Sequence, residues 1–160
     1  MLSLGALALL ERPALADRLR TGDLAPGPFV EEILRHLSVV QVAFPRFART
    51  ATQVGDVDIA AGDIVICSLA AANRDAVFGG APGGPDPEHM DPARPTVPHL
   101  AFGYGIHRCL GAELGRMELR SALPALLRRL PGLRLAVPAE EVEFRTLSLV
   151  HGVRSLPVTW

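Results

Sequence analysis

The chain has 160 residues, with 16 basic and 17 acidic side chains and a formal net charge of −1. That length fits one domain or part of a larger one, and a composition 49% hydrophobic and 21% charged excludes wholesale disorder. The near-neutral balance argues against a nucleic-acid binder, and two cysteines are too few for a disulfide scaffold.

Met1 to Leu10 is apolar, but no basic residue precedes it and Glu11-Arg12-Pro13 interrupts it. It therefore reads as the end of a helix rather than a secretory leader, and it is too short to span a bilayer. The expectation is a cytoplasmic protein without membrane contact. Ala14 to Arg20 reads as a second short helix closed by Gly22. Pro26-Gly27-Pro28 is a break, and Pro28 suits the first turn of a helix. Phe29, Val30, Ile33, Leu34 and Leu37 then recur at helical spacing. Residues 54–59 alternate, Ala61-Gly62-Asp63 is a turn, and residues 64–69 are apolar. This pattern predicts a β-hairpin whose second strand is partly buried, with Cys67 as a small apolar filler.

Between Gly79 and Pro98, ten of twenty positions are Gly or Pro, a density that predicts a long loop. Leu110 to Leu130 carries the strongest helical pattern, apolar at Leu114, Met117, Leu119, Leu123, Leu126, Leu127 and Leu130. Pro124 is predicted to kink or split it. Val142 to Trp160 reads as short strands around a turn at His151-Gly152. The predicted fold is mainly α with small β-sheets (α+β).

The chemically informative stretch is Phe102-Gly103-Tyr104-Gly105-Ile106-His107-Arg108-Cys109-Leu110-Gly111. It places a cysteine at the end of a glycine-bearing loop and the start of a long helix. Helix-opening amides and the helix dipole favour an anion there, so Cys109 is expected to lean towards the thiolate. Gly103, Gly105 and Gly111 let the backbone approach something flat or adopt positive φ. Phe102 can shield the sulfur. On the residues alone, four readings stand side by side. Cys109 is a buried filler, a nucleophile with His107 as base, a zinc ligand with His107 and His99, or an axial haem ligand. The nucleophile reading lacks an orienting Asp or Asn, and the zinc reading lacks a fourth ligand and a common spacing. Haem ligation explains the shielding ring, the glycines and the helix amides together.

This segment resembles the haem-ligand loop of the cytochrome P450 superfamily, whose pattern is Phe-x-x-Gly-x-His/Arg-x-Cys-x-Gly. Phe102, Gly105, His107, Cys109 and Gly111 fill every fixed position. The resemblance implies haem b (iron protoporphyrin IX) held by Cys109 as the only metal ligand. It implies Arg46 and His107 as partners of the haem propionates, Arg46 lying in Phe44-Pro45-Arg46-Phe47-Ala48. Glu32-Ile33-Leu34-Arg35 looks like the family's Glu-x-x-Arg helix, a structural ion-pair network in which His89 would be the third member. Ala72-Asn73-Arg74-Asp75 resembles the turn after the family's long hairpin strand. Leu149 and Val150 would face the substrate.

The likeness covers residues 1–160 but only the C-terminal part of a soluble bacterial member. Met1 to Leu10 resembles the tail of the helix that crosses the haem, and no Gly-x-x-Thr occurs. The implied activity is oxygen activation and hydroxylation of a small apolar substrate, with electrons from a ferredoxin- or flavoprotein-type partner. The chain is expected to be truncated and feeble alone. The alternative is a non-catalytic, cytochrome-like auxiliary protein.

Overall fold

A computed structural model describes residues 1–76, 86–95 and 97–160. The Gly/Pro-dense stretch from Gly79 to Pro98 lies partly outside them. Among the described residues there are five α-helices, α1 (Leu2–Leu10), α2 (Pro13–Thr21), α3 (Pro26–Leu37), α4 (Leu69–Ala72) and α5 (Ala112–Arg129), of which all but α4 contribute to the core. Three small antiparallel sheets surround them: β1 (Arg46–Phe47) with β4 (Ile64–Val65), β2 (Thr52–Val54) with β3 (Val57–Ile59), and β5 (Arg134–Leu135) with β6 (Val158–Thr159).

The α1 segment is apolar on every side because it is enclosed, with Leu4, Gly5, Ala6, Leu7, Ala8 and Leu9 all buried. Gly5 sits at a close approach of three helices. A Cβ there would stand 3.0 Å from Leu123 Cδ1 on α5 and 3.2 Å from Ile33 Cδ1 on α3. Helix α3 starts earlier than its apolar spacing predicts, at Pro26, because the Pro residues fit an N-terminal turn that needs no amide donors. Its inner face, Phe29, Val30, Ile33 and Leu34, packs with Leu9, Leu19, Leu24, Leu119, Leu123 and Leu127 as one core. A smaller cluster joins Leu4 and Leu7 to Val142 and Val153 of the tail.

Pro124 neither splits nor ends α5, which runs unbroken from Ala112 to Arg129. Burial of Leu119, Leu123 and Leu127 on both sides of the proline holds the helix together. That burial outweighs the loss of one ladder hydrogen bond, a cost of about 3 kcal/mol.

The predicted hairpin differs in register. The alternation over residues 54–59 is interrupted by Gly55, at φ +59°, and β2 returns as β3. The apolar run at 64–69 pairs instead with β1, Arg46 opposite Val65. Both β4 and the residues after it are open on one side, so Cys67 is exposed rather than buried. In the tail, Phe144 bridges Val153, Arg145 N–H donates to Gly152 O, and Arg154 N–H donates to Glu143 O. His151-Gly152 therefore lies along a paired arm, and the reversal falls at Leu147-Ser148. There Leu147 takes a left-handed φ of +53°.

Candidate haem-thiolate site

The loop around Cys109 is tied by its own backbone. Gly103 N–H donates to Leu100 O at 2.8 Å, Cys109 N–H to Phe102 O at 2.9 Å, and Arg108 N–H to Gly105 O at 3.0 Å. The turn at Gly105–His107 is a single 3₁₀ turn. Gly103 and Gly105 have φ of +71° and +81°, a region any side chain would strain, so two of the motif glycines serve backbone conformation. Helix α5 is capped by Gly111, and Ala112 N–H donates to Cys109 O at 3.3 Å. The sulfur thus stands just ahead of the helix start, against Gly111, where a Cβ would lie 3.8 Å from Sγ. Cys109 is exposed, which removes the buried-filler reading.

Apolar side chains of the same loop face outward. Tyr104 is 89% exposed, Ile106 96% and Leu110 103%. Leu114 and Met117, expected on the buried stripe of α5, are exposed too. Leu149 and Val150 are exposed in the tail, Val150 bridging Val40. Arg46 sits on β1 with its side chain in solvent, as does Arg49 nearby, and His107 is likewise exposed in the 3₁₀ turn. An accessible soft thiol donor, an open apolar surface and peripheral cations fit a flat, iron-bearing macrocycle with carboxylate side arms. They do not fit zinc. Among the described residues no cluster of three His, Cys, Asp or Glu side chains could hold a metal ion.

The Glu32–Arg35 pair is buried and fully satisfied. Arg35 Nε and Nη2 donate to the two oxygens of Glu32 at 2.8 and 2.9 Å. Nη1 donates to the carbonyls of Asn73 and Pro87, and Nη2 also to that of His89. Glu32 further accepts Asp91 N–H at 2.8 Å. The expectation for His89 is corrected here. Its imidazole is 81% exposed and bonds Asp86, and only its carbonyl enters the network. The third cation is Arg94, its Nε 3.6 Å from Glu32. A buried carboxylate calls for a charge that persists at every pH, which guanidinium has and imidazole lacks.

Two more residues, not singled out by the motif pattern, position the loop. Asn73, fully buried, donates to Ser38 Oγ and accepts Leu100 N–H at 2.6 Å, holding the segment that leads to Phe102. Glu31 gathers His99, Arg116 and Arg120 on one carboxylate, at 3.1, 2.9 and 2.8 Å. Despite burial, those bonds hold its pKa down to about 2, from 4.5. Because the folded value is the lower one, this stabilisation is complete above the unfolded pKa. It is lost as pH falls from about 4.5 towards about 2. The Glu31→Gln variant is therefore expected to lose less stability than the parent across that window, read from urea midpoints against pH. Equal slopes would contradict the assignment.

The family model for cytochrome P450 matches residues 28–142. The chain belongs to the cytochrome P450 family. Haem b is the cofactor of that family. Cytochrome P450-SU2 of Streptomyces griseolus is 47% identical over 161 residues, covering 100% of this chain and 38% of that protein. Nocardicin C N-oxygenase of Nocardia uniformis is 47% identical, covering 95% of this chain and 37% of its own length. The solved structure of OxyB from Actinoplanes teichomyceticus superposes with a TM-score of 0.88 at 45% identity, covering 100% of this chain and 44% of that one. The mixed helix and small-sheet architecture is thus part of the P450 fold, and the chain spans about two-fifths of the curated relatives it matches. Among the described residues no helix is long and apolar enough to cross a membrane.

Proposed function

We propose that residues 1–160 form the C-terminal, haem-thiolate portion of a cytoplasmic P450 monooxygenase. The observation that carries this reading is the exposed Cys109 thiol, on a residue whose backbone N–H is tied to the Phe102 carbonyl at 2.9 Å, in a loop that also exposes Tyr104, Ile106 and Leu110. When bound, haem would supply the one-electron and oxygen chemistry, with thiolate ligation favouring O–O cleavage. The chain's own part is to bind and orient. Cys109 would donate to the iron, Gly103, Gly105 and Gly111 would let the macrocycle approach, and Phe102 would keep water from the sulfur. Arg46 and His107 would take the propionates, where a guanidinium can meet a carboxylate by two parallel bonds. Leu149 and Val150 would contact a small apolar substrate, and a ferredoxin- or flavoprotein-type donor would supply electrons.

Ile106, Leu110, Leu147 and Leu149 are all exposed apolar side chains, of the kind that marks surface meant to be covered. They are suited to being covered by the part of the fold that the relatives possess and this chain does not span.

The test is to titrate the protein with haemin, reduce it and add carbon monoxide. One haem per chain and a red-shifted, thiolate-type carbonyl band are expected. Uptake with a histidine-type band, or zinc in place of iron, would overturn the reading.

A further inference from the structure

We propose that Arg116, locked by Glu31, is a positioning residue for the Phe102 ring beside Cys109. This role rests on the haem-thiolate reading of Cys109 and assigns the positioning to Glu31 and Arg116, which lie outside the Cys109 loop.

Phe102 is strapped to Cys109 at the backbone, since its carbonyl accepts the Cys109 N–H at 2.9 Å. Its ring needs a separate restraint, because the bond leaves the side-chain torsions free. Arg116 supplies one: its guanidinium lies over the ring, 4.8 Å from the centroid. Gly115, next to it on α5, lies beside the ring: a Cβ there would make ordinary contact with it at 3.7 Å. The His99 ring is tilted against Phe102 at 6.4 Å.

The guanidinium is itself immobilised. Its Nε donates to both oxygens of Glu31 at 2.9 and 3.0 Å, and Nη1 donates to Glu113 at 2.9 Å. Held along its edge, the planar group offers its face to the ring. Glu31 also bonds His99 Nε2 at 3.1 Å, while His99 Nδ1 accepts Ala101 N–H at 3.2 Å. That pair of bonds assigns the proton to Nε2 and fixes the backbone just before Phe102. One carboxylate on α3 therefore aligns both the cation above the ring and the segment that carries it. The Glu113-x-x-Arg116 spacing looks like an ordinary surface pair, yet Arg116 is largely buried, its side chain only 13% exposed.

A plain tie between α3 and α5 would involve the same Glu31–Arg116 bonds but not the ring, and a double-mutant design separates the two roles. The protein is labelled with fluorophenylalanine, and the Phe102 line is assigned by its loss in Phe102→Leu. Arg116→Met is expected to shift or broaden that line, Glu31→Gln to move it less in the same direction, and Arg120→Met to leave it in place.

In haem-loaded protein, Arg116→Met is expected to speed the loss of the thiolate-type carbonyl band about threefold to tenfold, the scale of one cation–π contact. Arg116→Lys should recover part of the effect. In the Phe102→Leu background, Arg116→Met should add nothing. An unmoved fluorine line, or equal acceleration with and without the ring, would overturn the proposal and leave Arg116 as a helix tie. A parent protein with no thiolate-type band would instead sink the haem reading, and the fluorine line would still decide whether Arg116 sets the ring.

Discussion

Arg35→Ala is expected to cost about 3–5 kcal/mol and to leave the chain unfolded or barely folded at room temperature. The side chain is 1% exposed, and it serves Glu32 and three backbone carbonyls from two loops. Removing it strands a carboxylate that is itself only 6% exposed, and it takes the donor from three carbonyls. Arg35→Lys should rescue little, because one ammonium cannot meet both Glu32 oxygens and the carbonyls beyond them. The check is a urea unfolding series against Arg154→Ala. Arg154 pairs with Glu143 at 3.1 Å, but both side chains are 68% exposed, so its loss should cost less than about 1 kcal/mol. Similar midpoints for the two variants would mean that the buried network does not hold the fold.

Cys109→Ser is expected to abolish the thiolate-type carbonyl band while leaving the fold intact. The side chain is exposed, so its packing contribution is small. The loop is held by backbone bonds at Cys109 N–H and O, which Ser preserves. What changes is the donor: a hydroxyl oxygen stays protonated near neutral pH and is a poor, hard ligand compared with sulfur. Unchanged unfolding midpoints together with loss of the band would separate ligation from structure. A collapse of stability in this variant would show that the thiol is structural.

Much of this was legible in the residues because it is local. The Cys109 loop announces itself through glycines that need positive φ and a cysteine at a helix start, and Glu32–Arg35 through an i,i+3 pair on an amphipathic helix. Long-range pairings were not legible. Nothing in Pro-Ala-Arg94 distinguishes a guanidinium that reaches Glu32 from a solvated one, whereas His89 stood at the place where the family pattern puts a cation. Asn73 reads as a turn residue, and only the fold shows that its amide serves Ser38 and Leu100 together. The β2–β3 turn was missed because Gly55-Asp56 interrupts an alternation whose side chains are mostly exposed on both faces, so no buried face marks the register. Cys67, Leu114 and Met117 were expected inside for their apolarity alone, but they line a surface that this chain does not itself cover.

The most direct measurement is iron K-edge X-ray absorption on the haem-loaded protein and its Cys109→Ser variant. A sulfur scatterer in the iron shell of the parent, absent from the variant, is the predicted result. A shell of nitrogen and oxygen alone in the parent, or a sulfur that survives the substitution, would contradict Cys109 as the donor.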